Sequence, residues 1–353
     1  MIATIWTKNL LCFDETEHRI NCAPLTILVG PNNSGKSAIL TAFNLLRQFG
    51  LTGGPFHWTT ESYNLNDFYT AVHNHENGLS IELGTDISEN GATTNFSASI
   101  SQSGWAGLKV NPARATSADL FRTAWYFRAS RSDITRDRPT GSGASVPVWG
   151  QPLDPSGSNI ITYLLERWTD QDKKWPVAQE WLKRVDPELE ILKSPLRGSM
   201  ASLETTNRYS DVSVNLAYQG TGIQKALTII AGVIFSPPNA TIIIEEPEVH
   251  LERGSIETLV DLFNYAVNHW NKQIILSTHS IDLLLQYASE VGLGTKRGGQ
   301  HEHLDASKFN LVTFERKEGK IQIKDQDMRG RFSTMMERLK SILKPDTVAK
   351  VTA

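Results

Sequence analysis

The chain has 353 residues, 40% hydrophobic and 21% charged, with 25 Gly and 15 Pro, an ordinary globular composition that excludes collagenous, low-complexity and fully disordered classes. Lys plus Arg number 35 against 38 Asp plus Glu, a net charge of −3, so no global positive field marks a nucleic-acid coat and any polyanion site is local. Cys12 and Cys22 are the only cysteines, too few for a disulfide scaffold or a Cys-rich zinc site. No leader-like segment follows Met1 and no apolar run nears the ~20 residues of a bilayer span, so the expectation is a cytoplasmic protein with no membrane contact.

The stretches Ala3–Trp6 and Leu10–Phe13 alternate and predict an opening β-hairpin, which feeds a buried strand over Leu25–Val29. After that strand, residues 37–49 carry Ile39, Leu40, Phe43 and Leu46 at helical spacing, giving strand, glycine loop, helix. Alternation from Leu79 to Val110 around turn residues predicts an antiparallel meander. Residues 137–158, rich in Pro, Gly and Ser, form the main internal boundary, and a helical stretch follows to about Val185. Beyond it come an alternating stretch (Asp211–Ala217), a helix (Ile223–Phe235), a strand (Thr241–Ile244), a helix (Ser255–Trp270) and a strand (Gln273–Ser277). The C-terminal part reads as a hairpin (Phe309–Phe314, Lys320–Ile323) and a helix (Ser333–Leu343). Strands alternating with helices predict an α/β core.

Gly30, Pro31, Asn32, Asn33, Ser34, Gly35, Lys36 and Ser37 match G-x4-G-K-[ST] between a predicted strand and a predicted helix, the context a phosphate loop requires. Backbone N–H groups freed by the glycines and the helix N-terminus would cradle phosphates, with Lys36 reaching the β- and γ-phosphates and Ser37 ligating Mg2+. The alternative is a turn with an accidental lysine. Thr241–Ile244 runs into Glu245 and Glu246, two carboxylates at the end of a buried strand, where leaving them unpaired is costly. Magnesium beside Glu245 relieves that cost, and Glu246 orients and deprotonates the water attacking the γ-phosphate of ATP. A solvated loop is the plain alternative. His279 ends the following strand as a γ-phosphate contact or as a satisfied polar core histidine.

These runs, with Gly220-Thr-Gly222-Ile-Gln224 and Glu245-Glu246-Pro-Glu248-Val-His250-Leu251, occur in the order of an ABC-type ATPase head, and the chain resembles the RecF, SMC and OLD group. The E-E-P-E-x-H-L run looks most like OLD-type ATPases, many of which serve prokaryotic defence against phage. That resemblance implies one ABC-type P-loop head over 1–353. Its parts would be a lobe with phosphate loop and meander (1–136), a loop and inserted helical lobe (137–215), a segment with signature loop, acidic strand and switch histidine (216–285), and a hairpin and helix (286–353). It further implies that Glu246 is the catalytic base, Glu245 the magnesium-side acid, His279 the switch histidine, and Gly220, Gly222 and Gln224 a signature loop. In this family that loop completes the ATP site of a second subunit, so a homodimer or higher homo-oligomer is implied. Glu252-Arg253-Gly254 departs from the His-Pro of many relatives, and Asp67 is a weak candidate for the switch-glutamine loop. Glu245 follows Lys36 by 245 − 36 = 209 residues, too long for a compact nucleotide fold without insertions.

Arg122, Arg128, Arg131, Arg136 and Arg138 around Trp125, Tyr126 and Phe127 fit either DNA contact or a buried strand whose arginines form ion pairs or approach nucleotide. His73 with His75, and His301 with His303, read as loop histidines rather than metal ligands. Asp325 and Asp327 read as a solvated turn rather than a nuclease pair, and Trp168, Trp175, Trp181 and Trp270 as core or interface residues. Only 73 residues follow Ser280 (353 − 280), so the leading expectation is an ATPase regulating a separate effector, a nuclease or toxin. The rival is a RecF-like repair factor that clamps on DNA.

Overall fold

The computed structural model describes residues 1–52, 59–60, 63–65, 67–76, 78–89, 91–102, 104–111, 123–128, 138–139, 153, 159–169, 172–193, 200–201, 203–207, 209, 212–290, 304–318 and 320–326. In chain order come β1 (Ile2–Lys8), β2 (His18–Asn21), β3 (Leu25–Val29), α1 (Lys36–Thr52), β4 (Thr59–Thr60), β5 (Tyr63–Asn64), α2 (Phe68–Ala71), β6 (Ile81–Glu89), β7 (Ala92–Ser101) and β8 (Gly104–Asn111). Then follow β9 (Ala124–Phe127), β10 (Arg138–Pro139), α3 (Ile160–Thr169), α4 (Trp175–Val185), β11 (Leu189–Lys193), β12 (Met200–Ala201), β13 (Leu203–Asn207) and β14 (Ser213–Asn215). The last are α5 (Thr221–Phe235), β15 (Thr241–Glu245), α6 (Arg253–His269), β16 (Gln273–Thr278), α7 (Ile281–Glu290), β17 (Phe309–Lys317) and β18 (Lys320–Gln326).

The central sheet has the order β18-β17-β3-β16-β15-β9, parallel except for the β17–β18 hairpin. Parallel strands covered on both faces are apolar throughout, and side chains alternate between the faces. Here Ile242, Ile244, Ile274, Leu276, Leu25 and Ile27 join a core with α3 to α7, while Ile243, Ile275 and Leu28 join a second core with α1. That second core is closed by the antiparallel sheet β2-β1-β6-β7-β8, which contains the predicted meander. Parallel pairing brings the ends of β9, β15, β16, β3 and β17 to one edge, where ligands bind in open α/β sheets.

The partner of β1 is His18–Asn21, not Leu10–Phe13. Asn9 and Leu11 take φ of 55° and 53°, which breaks the extended chain, and Leu11 instead donates its N–H to Ala71 O at 2.7 Å. The expected helical stretch ends at Val185 with α4, and Leu189–Lys193 then pairs with β13, two strands that the sequence reading did not include, and β13 with β14. Asp325 lies on β18 rather than in a turn, where it accepts from Asn21 Nδ2 at 2.6 Å. Asp327, His301, His303, Arg122, Arg131, Arg136 and Ser333–Leu343 lie outside the described residues. No helix among the described residues is long and apolar enough to cross a membrane.

Candidate functional site

The loop after β3 turns on Gly35, whose φ of +101° suits glycine, and a Cβ there would stand 3.1 Å from Phe13 Cζ and 3.3 Å from Cys12 Sγ. Lys36, only 6% exposed, folds its Nζ back to donate to the carbonyls of Gly30 and Pro31, each at 2.8 Å. Burial lowers its pKa, and Glu246, Glu248 and Glu245 pull it back up, so three carboxylates face the ammonium closely enough to be felt. Ser34 Oγ is buried without a hydrogen-bond partner, a polar group suited to a phosphate oxygen. Asn32 and Asn33 are exposed on the loop, and Ser37 is exposed in the first turn of α1.

Glu245 closes β15 opposite Ser277 of β16. Glu246 then turns to a φ of 43° and donates its N–H to Ser277 O at 2.8 Å, which lifts its side chain off the sheet edge. His279 Nδ1 lies 3.1 Å from Glu246 Oε1, both side chains partly exposed. Glu248 is turned inward, 8% exposed. It accepts from Thr278 Oγ1, Thr278 Oγ1 accepts from Ser280 N–H at 2.9 Å, and burial pushes the Glu248 carboxyl pKa up. This chain of bonds ties the acidic loop to both neighbours of His279.

A cavity of about 970 Å³ runs along the phosphate loop, with Lys36, Ser37, Glu246, His73, His75 and Arg316 among its walls. Sequence reasoning missed Arg316 and Lys320, the second also lining the cavity; the β17–β18 hairpin was visible, but not its pairing alongside β3. His73 and His75, read as loop histidines, each have Nδ1 on a backbone carbonyl, of Leu11 and Tyr69 respectively. Asp67 caps α2 by accepting from Thr70 N at 2.8 Å and is not among the cavity walls. Arg128 directly follows the buried strand β9, and Trp175 and Trp181 are core residues.

The Gly220–Gln224 run opens α5 two residues earlier than expected, with Gly220 as its N-cap. Gly222 packs against the acidic loop of its own chain: a Cβ there would lie 2.5 Å from His250 O. Around Gly220 nothing lies within 4 Å of such an atom. Gln224, 6% exposed, points inward and donates its amide to Leu216 O, Ala217 O and Gln219 O at 3.0–3.1 Å, so it braces the loop. None of Gly220–Gln224 lines the phosphate-loop cavity among the described residues.

A family model described as "AAA domain, putative AbiEii toxin, Type IV TA system" matches residues 25–286. The chain belongs to this AAA family. Its architecture is that of SMC heads. The head bound to the C-winged helix domain of ScpA aligns over 95% of this chain and 99% of its own at TM-score 0.60 and 12% identity. The Pyrococcus furiosus head with an extended coiled coil aligns over 98% and 100% at 0.60 and 12%, and the Thermotoga maritima head over 93% and 99% at 0.50 and 13%. The energy-coupling factor transporter ATP-binding protein EcfA2 of Spiroplasma kunkelii is 39% identical over 70 residues, which are 20% of this chain and 23% of that protein. The match thus spans about a quarter of the relative's length. The chain thus combines membership of an AAA family, the fold of SMC heads and a sequence run that matches a phosphate loop.

Proposed function

We propose that the chain hydrolyses ATP at a site shared by two copies, and that closure of this homodimer governs a separate effector in prokaryotic anti-phage defence. The observation that carries hydrolysis is the Glu246–His279 pair, 3.1 Å apart, with Glu246 on the wall of the cavity that also contains Lys36 and Ser37. When ATP enters, Lys36 exchanges the carbonyls of Gly30 and Pro31 for the β- and γ-phosphates, and the N-terminal N–H groups of α1 take phosphate oxygens. The Ser37 hydroxyl and Glu245 carboxylate are hard oxygen donors that suit Mg2+, and two protein ligands are enough for an ion that keeps waters and phosphates. The ion would neutralise charge on the β- and γ-phosphates. Glu246 orients the attacking water and takes its proton, while His279 fixes that carboxylate and contacts the γ-phosphate.

The shared site rests on the resemblance of Gly220–Gln224 to a signature loop and on the open space around Gly220. It is also supported by a strip of exposed Tyr209, Val212, Val214 and Tyr218 just before the loop, since exposed apolar clusters mark contact surfaces. The effector reading rests on analogy: the family description names a toxin system, and the SMC heads of similar fold are bound to domains of ScpA. Glu246→Gln tests the chemistry. It should keep ATP affinity within about threefold, lose at least ~100-fold in turnover and accumulate as an ATP-bound dimer by light scattering. Wild-type turnover in that variant would move the base elsewhere.

A further inference from the structure

At the edge of the parallel sheet away from the phosphate loop, the C-terminal ends of α5 and α6 and the start of α4 enclose a cavity of about 450 Å³. We propose that this cavity is a second ligand site, for a small organic anion: a carboxylate, phosphate or sulfonate on a flat apolar body.

Its walls include Lys173, Lys174 and Lys272 and no acidic side chain among the described residues, while Trp270, Val177 and Ile234 supply apolar surface. Lys272 is 2% exposed and donates to Val233 O, to Ser236 O at 3.2 Å and to Ser236 Oγ at 2.7 Å. One ammonium on the last carbonyls of α5 is ordinary helix capping. Two more beside it are not. Lys174 donates to Ser236 O at 3.4 Å, one bond for an ammonium with three N–H groups, and Lys173 lines the same rim. Burial, and then Lys174, bring the Lys272 pKa down to about 7. Like charges gathered around an apolar recess are unfavourable unless an anion enters, and the volume falls in the small-molecule range. The Trp270 indole offers a flat wall, with the Lys272 ammonium 5.4 Å from its ring centre. Among the described residues this recess and the phosphate-loop cavity share no wall residue, so the site is not part of the nucleotide cavity.

The test uses the full chain and two fluorescent probes, 1-anilinonaphthalene-8-sulfonate and its uncharged counterpart N-phenyl-1-naphthylamine. The sulfonate should bind saturably at one site per chain. K173E/K174E, both on the rim, should weaken it at least ~10-fold while leaving the melting temperature and the neutral probe's affinity unchanged. K36A should bind it as wild type does. Should the paired charge reversal fail to fold, K174M carries the same expectation at reduced size. Equal sulfonate affinity with and without the rim charges would overturn the proposal, as would loss of binding in K36A, which would assign the probe to the phosphate loop.

Discussion

Lys36 holds two backbone carbonyls of its own loop, so replacing it has two separable consequences. Lys36→Ala should abolish detectable ATP binding by calorimetry, and it should also cost about 1–2 kcal/mol of stability, because Gly30 O and Pro31 O lose their donor. Unaltered nucleotide affinity would contradict the role given to this side chain. Lys272 supplies a prediction in pH. Its folded pKa of about 7 lies below the ordinary lysine value of ~10.4. Between those values the unfolded chain binds a proton that the folded chain does not. This group therefore makes stability rise with pH across that window, and its contribution is least favourable below about pH 7. Urea unfolding of wild type and Lys272→Met at several values from pH 7 to 9.5 should show a shallower rise in the variant, whatever its absolute stability. Parallel slopes would mean that Lys272 titrates normally.

At the scale of elements, Gly220 and Gly222 allow packing to be tested apart from the proposed contact with another subunit. Gly222→Ala presses a Cβ against His250 O and should lower stability by about 1–3 kcal/mol in thermal unfolding. Gly220 has open space and a φ of −54° that any residue adopts, so Gly220→Trp should fold and bind ATP normally yet fail to hydrolyse it. The strand, glycine loop and helix around Gly30–Ser37 were legible in the sequence because their determinants are local: four fixed positions between a buried strand and an amphipathic helix. The strand ends at Glu245 and His279 were legible for the same reason. Other features rest on distant pairing. The alternation of Leu10–Phe13 resembles a strand until positive φ at Asn9 and Leu11 and the bond to Ala71 divert it. The short strands β11 and β13 find each other across residues 194–202. Arg316 reaches the cavity only because β17 pairs with β3, some 280 residues earlier in the chain (309 − 25 = 284). Gln224 matched a motif position, but its amide is committed to loop carbonyls, which no spacing reveals.

For the whole molecule, the proposed ATP site is divided between two chains: phosphate loop, acidic strand and His279 from one copy, signature loop from the other. Tyr218→Asp, a charge on the exposed strip before Gly220, should leave single-chain ATP binding intact and lower the dimer fraction of a Glu246→Gln background. A monomer–dimer balance unchanged by it would remove that strip from the contact. The most direct measurement is the ATPase rate of mixed subunits, Lys36→Ala with Gly220→Trp. Each variant alone should be inactive. In the mixture, the Gly220→Trp chain contributes a sound phosphate loop and the Lys36→Ala chain a sound signature loop. Random pairing then restores up to about a quarter of the wild-type rate, since half the dimers carry one intact site of two. Heterodimers that form but show no recovered hydrolysis would contradict the shared site.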